Sequence, residues 1–192
     1  MKTKQLVGAL LLGTFVILLF VTLNLVSHRS GAAQGLPATP QEKWKISIGR
    51  SPMDDSRTVV LTLDSEDQIQ GPLGAVRPSL IVRCKEKKTD VYVVTGMAAS
   101  IEEDFDGGPA EHHTVKTRLD DSPATDGYWY ESTDHKALFS GGGVEYAKQL
   151  ARADTLTFQF TPFDGSPQVA RFDIRGLDPH LHKVAEACGW AY

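Results

Sequence analysis

From Leu6 to Val26 the chain carries no charged residue, only Leu, Val, Ile, Phe, Ala, Gly, Thr and Asn24. At 1.5 Å per residue, about 21 helical residues reach roughly 30 Å, the thickness of a bilayer's hydrocarbon core. Lys2 and Lys4 precede the segment and Arg29 follows it. Lysines ahead of a first apolar segment hold that end in the cytoplasm and send the rest of the chain outward. Residues 1–26 are therefore expected to be a single-pass anchor in a bacterial inner membrane, N-terminus inside and the remainder in the periplasm. The alternative is a cleaved signal peptide, for which Ser30-Gly31-Ala32 offers a small-residue site. The apolar run is longer than the roughly 7–15 residues usual for a signal peptide. No cysteine follows the segment closely, so lipoprotein processing is not expected.

Residues 27–43 read as a linker, with Ser, Gly, Ala and Gln interrupted by Pro37 and Pro40. The remaining stretch, 44–192, is long enough for one domain with a real core. The net charge is −4 with the positive charges scattered. That pattern excludes the basic stripe a nucleic-acid binder uses to neutralise phosphates. The chain has two cysteines, Cys84 and Cys188. Outside the cytoplasm such a pair tends to be joined; the alternative is two separate buried thiols packed as small hydrophobes.

Most of the domain reads as strand. Trp44 to Ile48 alternates apolar and polar residues as a half-buried strand does. Thr58–Leu63, Leu80–Cys84 and Val91–Thr95 are rich in β-branched residues, the last two separated by a short polar connection. Thr114–Leu119 with Gly127–Glu131, and Thr155–Phe160 with Val169–Ile174, form two further expected pairs. Two segments have helical spacing. Gly143–Ala151 follows a glycine run. In the other, Asp178 is the expected N-cap and Pro179 the first helical residue, with Leu181, Val184, Ala185 and Cys188 on one apolar stripe. Cys188 would then tie this helix to the strand ending at Cys84. The expected class is α+β, mainly β: an antiparallel sheet or sandwich with one or two helices, preceded by the transmembrane helix.

Patterns that would mark chemistry are weak. His112 and His113 are adjacent and point to opposite faces of a strand. His180 and His182 lie about 200° apart on a helix and cannot grip one ion. Solvated surface positions are expected for all four. The acidic run from Glu102 to Gly107 lacks a calcium ligand at Gly108. Gly141-Gly142-Gly143 is followed by Val144-Glu145, not by the lysine of a phosphate-binding loop. No Gly-x-Ser-x-Gly elbow occurs. No catalytic residue, metal or cofactor is expected.

Several features have no ready chemical reading. They are Trp44, the Ser51-Pro52-Met53-Asp54-Asp55 turn, Arg83 inside an apolar run, Ser132-x-Asp134 ahead of Ala137-Leu138-Phe139, and the closing Cys188-Gly189-Trp190. Arg83 is expected to pair with a carboxylate such as Asp55 or Asp173. In their order and spacing these motifs resemble the VasI/TagO family of type VI secretion-associated accessory proteins, over about Trp44 to Trp190. The resemblance implies an exported, non-enzymatic accessory role and supplies no catalytic set. A long anchor-like segment stands here where that family is expected to have a short signal peptide.

The expected function is thus a membrane-anchored periplasmic accessory or assembly protein, associated with a type VI secretion system. It would bind an envelope or secretion-apparatus partner rather than catalyse a reaction. The competing readings are an envelope hydrolase whose site assembles only in three dimensions, a soluble inhibitor or immunity-type protein, and a phage- or island-encoded envelope protein of the same domain family.

Overall fold

The structure, a computed structural model, describes residues 43–101, 112–163 and 165–192. All of them fall in one compact unit, Ala38–Tyr192. The anchor and most of the linker expected from the sequence lie outside the described residues, as does the acidic run Glu102–Gly107. Among the described residues no helix is long and apolar enough to cross a membrane.

Nine strands form one antiparallel sheet. They are β1 (Lys45–Arg50), β2 (Arg57–Asp64), β5 (Ser79–Lys85), β6 (Lys88–Val94), β7 (His113–Leu119), β8 (Thr125–Glu131), β9 (Ala137–Ser140), β10 (Thr155–Phe160) and β11 (Gln168–Asp173). Their order is β1-β2-β5-β6-β9-β8-β7-β10-β11. A separate two-stranded hairpin, β3 (Ile69–Gly71) and β4 (Gly74–Val76), follows β2. Helix α1 spans Gly143–Leu150 and packs on β6; α2 spans Asp178–Cys188 and packs on β2 and β5.

Alternation assigns the two faces of the sheet. Val59, Leu61 and Leu63 of β2, Leu80, Val82 and Cys84 of β5, and Val91 and Val93 of β6 point inward and are buried. Phe158 and Phe160 of β10, Phe172 of β11 and Trp129 of β8 join them in one core with Leu150 of α1 and Leu181 and Val184 of α2. The sheet curves enough that the segment after β2 meets β11. The Glu66 N–H donates to the Arg171 carbonyl at 2.8 Å, and the Arg171 guanidinium grips Asp67 with two bonds of 2.9 Å.

The strand pairs expected from the sequence form, but three details differ. First, the β5–β6 hairpin closes through a two-residue turn, Glu86 and Lys87, both with positive φ as a type I′ turn requires. Second, β1 is not half-buried: Trp44 just before it is buried, yet all six strand residues are exposed. It is an edge strand, and α2 sits over β2 and β5. Third, Asp178 does not cap α2. The N-cap is Leu177, whose carbonyl accepts from His180 and Leu181, and Asp178 lies in the first turn. The sheet is single and curved rather than a sandwich of two.

Candidate interaction surface

The residues singled out in the sequence are placed at joints of the fold. Cys84 and Cys188 are bonded across 104 residues, with Cα atoms 5.7 Å apart. Trp190, just beyond α2, donates its indole N–H to the Thr89 hydroxyl at 2.8 Å. Gly143 meets that same corner: a Cβ there would lie 2.1 Å from the Thr89 carbonyl oxygen. Glycine at the first position of α1 is thus required by close packing of the helix start on β6; Gly141 and Gly142 make no such close approach.

Two motifs shape turns. Buried Ser51 closes the β1–β2 connection: its carbonyl accepts from Asp55 and its hydroxyl from the Met53 N–H. Asp54 accepts from both the Ser56 hydroxyl and N–H, which lower its pKa, and Asp55 takes the left-handed conformation there. Ser132 closes the β8–β9 turn, its hydroxyl accepting from the N–H groups of Lys136 and Ala137 while donating to Asp134 at 2.6 Å. That bond lowers the Asp134 pKa.

Arg83 pairs with neither Asp55 nor Asp173. It projects from the outer face of β5 and donates to Asp90, its cross-strand partner on β6, at 2.7 Å. A strand residue reaches the residue opposite it before any more distant carboxylate. Asp173 is held instead by Arg175 and Lys43, Arg175 contributing most to depressing its carboxyl far below the usual range.

The histidines do not converge. His113 contacts the Ser100 carbonyl at 2.8 Å, His135 contacts Glu131, and His182 stacks edge-on against Tyr192. His180 is buried, against expectation, because it lies four residues before Val184 on the packed face of α2. Among the described residues no cluster of three His, Cys, Asp or Glu could hold a metal ion.

What the sequence reading missed is the outer face of the sheet. Tyr130, Phe139, Tyr92 and Ile81 are successive cross-strand partners on β8, β9, β6 and β5. The Tyr92 and Phe139 rings stack at 4.3 Å, and the Arg83 guanidinium lies 5.1 Å from the Tyr92 ring centre. Tyr128, two residues from Tyr130, is 66% exposed, and Tyr130 50%. A face that presents exposed tyrosines and, further along the same row, an arginine stacked on a tyrosine has the composition of contact surfaces. The alternation Tyr128-Trp129-Tyr130 was readable, but only the register brings Phe139 and Tyr92 into the same row. At one end of the sheet Pro72, Met97, Ala98, Pro162 and Phe163 line a mainly apolar groove of about 540 Å³.

Fold and surface together define a disulfide-tied α+β domain, mainly β, with an aromatic outer face. The family model described as type VI secretion system VasI, EvfG matches residues 32–190, so the chain belongs to that family. No curated protein matches the chain. The fold is similar to the crystal structure of invasion associated protein b from Bartonella henselae, at 10% identity and a TM-score of 0.47, covering 75% of this chain and 92% of that one.

Proposed function

We propose that this protein is an accessory component of a type VI secretion system that acts by surface contact in the periplasm, tethered to the inner membrane by residues 1–26. The observation that carries this reading is the family match over 32–190. The uncharged run Leu6–Val26 behind Lys2 and Lys4 supports the tether and its orientation. The Cys84–Cys188 bond supports an oxidising compartment. The motif residues supply hydrogen bonds, turns and packing rather than a converging set of acid, base and nucleophile, which supports contact over catalysis. A tether raises the local concentration of a weakly binding domain near membrane partners.

The test is complementation of a strain lacking the gene. The full chain restores type VI-dependent secretion; a form whose residues 1–40 are replaced by a cleavable signal sequence restores it only in part. Full restoration by the soluble form would overturn the tether, and wild-type secretion in the deletion strain would overturn the secretion role.

A further inference from the structure

We infer that β1 is a self-pairing edge, through which two tethered copies of this chain join their sheets into one. The two edges of the sheet are treated differently. β11 is covered: the Arg171 carbonyl and the Gln168 side-chain oxygen accept from the N–H groups of Glu66 and Gln70, and the Arg171 backbone N–H and guanidinium donate to Asp67. β1 has no neighbour on its outer side among the described residues, and every one of its residues is exposed. It has neither proline nor bulge, and its charged residues, Lys45 and Arg50, stand at its two ends, leaving the middle as Ile46-Ser47-Ile48-Gly49.

Register identifies the occupant. Ile46 and Ile48 oppose Leu61 and Val59 of β2, so they continue the core-facing side of the sheet, yet they stand 37% and 53% exposed. A two-fold axis midway between the Ser47 residues of two copies, perpendicular to the sheet, pairs them antiparallel with like faces together. Ile46 then opposes Ile48 of the second copy, twice, as an aliphatic cross-strand pair. Lys45 opposes Gly49, whose Cβ position has nothing within 4 Å, so the lysine meets no steric obstacle and no like charge. The Lys45 ammonium is moreover already neutralised by Asp64 at 2.7 Å. Such a closed, self-complementary contact is how two-fold dimers form.

One six-residue edge buries an area at the low end of specific interfaces, below about 1,200 Å². The strength of the pairing therefore rests on the tether proposed above, which confines both copies to one surface; its geometry does not.

Ser47→Cys tests the geometry. Both native cysteines are joined, so the new thiol is the one free to react. Cα atoms directly opposite in an antiparallel pair lie about 4.5–5.5 Å apart, within disulfide reach. Lys45→Cys is the control, because the two 45 positions would be about 14 Å apart along the strands. In membranes holding the full chain, mild oxidation should give a dimer for Ser47→Cys and at least about tenfold less for Lys45→Cys, as disulfide geometry demands. Adding Ile48→Lys, an exposed site, should abolish the cross-link while melting stays unchanged. No dimer at position 47, equal dimer at 45, or insensitivity to Ile48→Lys overturns the pairing. A full-yield cross-link in the form lacking residues 1–40 supports the pairing and overturns its dependence on the tether.

Discussion

Trp190 is bonded through its indole N–H to the hydroxyl of Thr89, 101 residues earlier in the chain. Thr89 sits directly opposite Cys84 in the β5–β6 hairpin, and Cys84 is bonded to Cys188. Gly143 packs on the Thr89 carbonyl from the third side. One corner of β6 thus gathers the hairpin, the start of α1 and the end of the chain. That is the physical sense of the Cys188-Gly189-Trp190 ending: Gly189 takes the left-handed conformation that ends α2 and turns Trp190 back onto the sheet.

If this corner is one unit, its parts are coupled. Trp190→Phe keeps an aromatic ring, though a smaller one, and removes the donor, and Thr89→Val removes the acceptor. A double-mutant cycle in urea unfolding should give a coupling energy of about 1 kcal/mol, the usual net worth of a hydrogen bond. Additive effects would mean that the bond contributes nothing.

The disulfide closes a loop of about 100 residues, which restricts the unfolded chain and contributes roughly 4–5 kcal/mol, less any native strain. Cys84→Ser and Cys188→Ser should each lower stability by a similar amount, and the double variant by no more than either. Urea unfolding of the three exported proteins checks this; a double variant twice as destabilised as the singles would contradict it.

Arg83→Leu removes one partner of Asp90, whose side chain is 10% exposed. Lys88 remains 3.2 Å from the same carboxylate. The loss should therefore be about 1–2 kcal/mol, below the 3–5 kcal/mol of a fully buried pair. An unchanged melting temperature would show that the pair is solvated and idle.

The alternation along β2, β5 and β10 made the inward residues legible, because one face of each strand is buried throughout its length. The same rule failed on β1, where the alternation is present but the inward side chains of Ile46 and Ile48 stand 37% and 53% exposed. It is a rule about neighbours, and a sequence does not announce which strand will be at the edge. Arg83 showed a similar limit. Its need for a carboxylate was readable, but Asp90 became the partner only once the tight Glu86-Lys87 turn fixed the register. The hairpin β3–β4 and strand β9 are three or four residues long, too short for a period to register. The row from Tyr130 to Ile81 is assembled from four strands and has no local signature at all.

Asp173, held by Arg175 and Lys43, titrates in the folded protein far below its unfolded value near 3.9. A depressed carboxyl stabilises the fold above the unfolded pKa, and that contribution is lost as pH falls below it. Asp173→Asn should be less stable than the parent at pH 7, and the gap should shrink as pH drops through about 4 and below. Thermal melts across pH 7 to 3 read it; a gap constant with pH would mean that the ion pairs do not matter.

The central claim is that the domain acts through its surface and not through a reaction. Complementation of type VI-dependent secretion tests it most directly, comparing two exposed sets. The account predicts that a chain carrying His135→Gln and His182→Gln secretes like the parent, whereas Tyr128→Ser with Tyr130→Ser on the aromatic face loses most secretion while melting normally. A normally folded variant at a single histidine or carboxylate that abolishes secretion, with the tyrosine variant fully active, would contradict it.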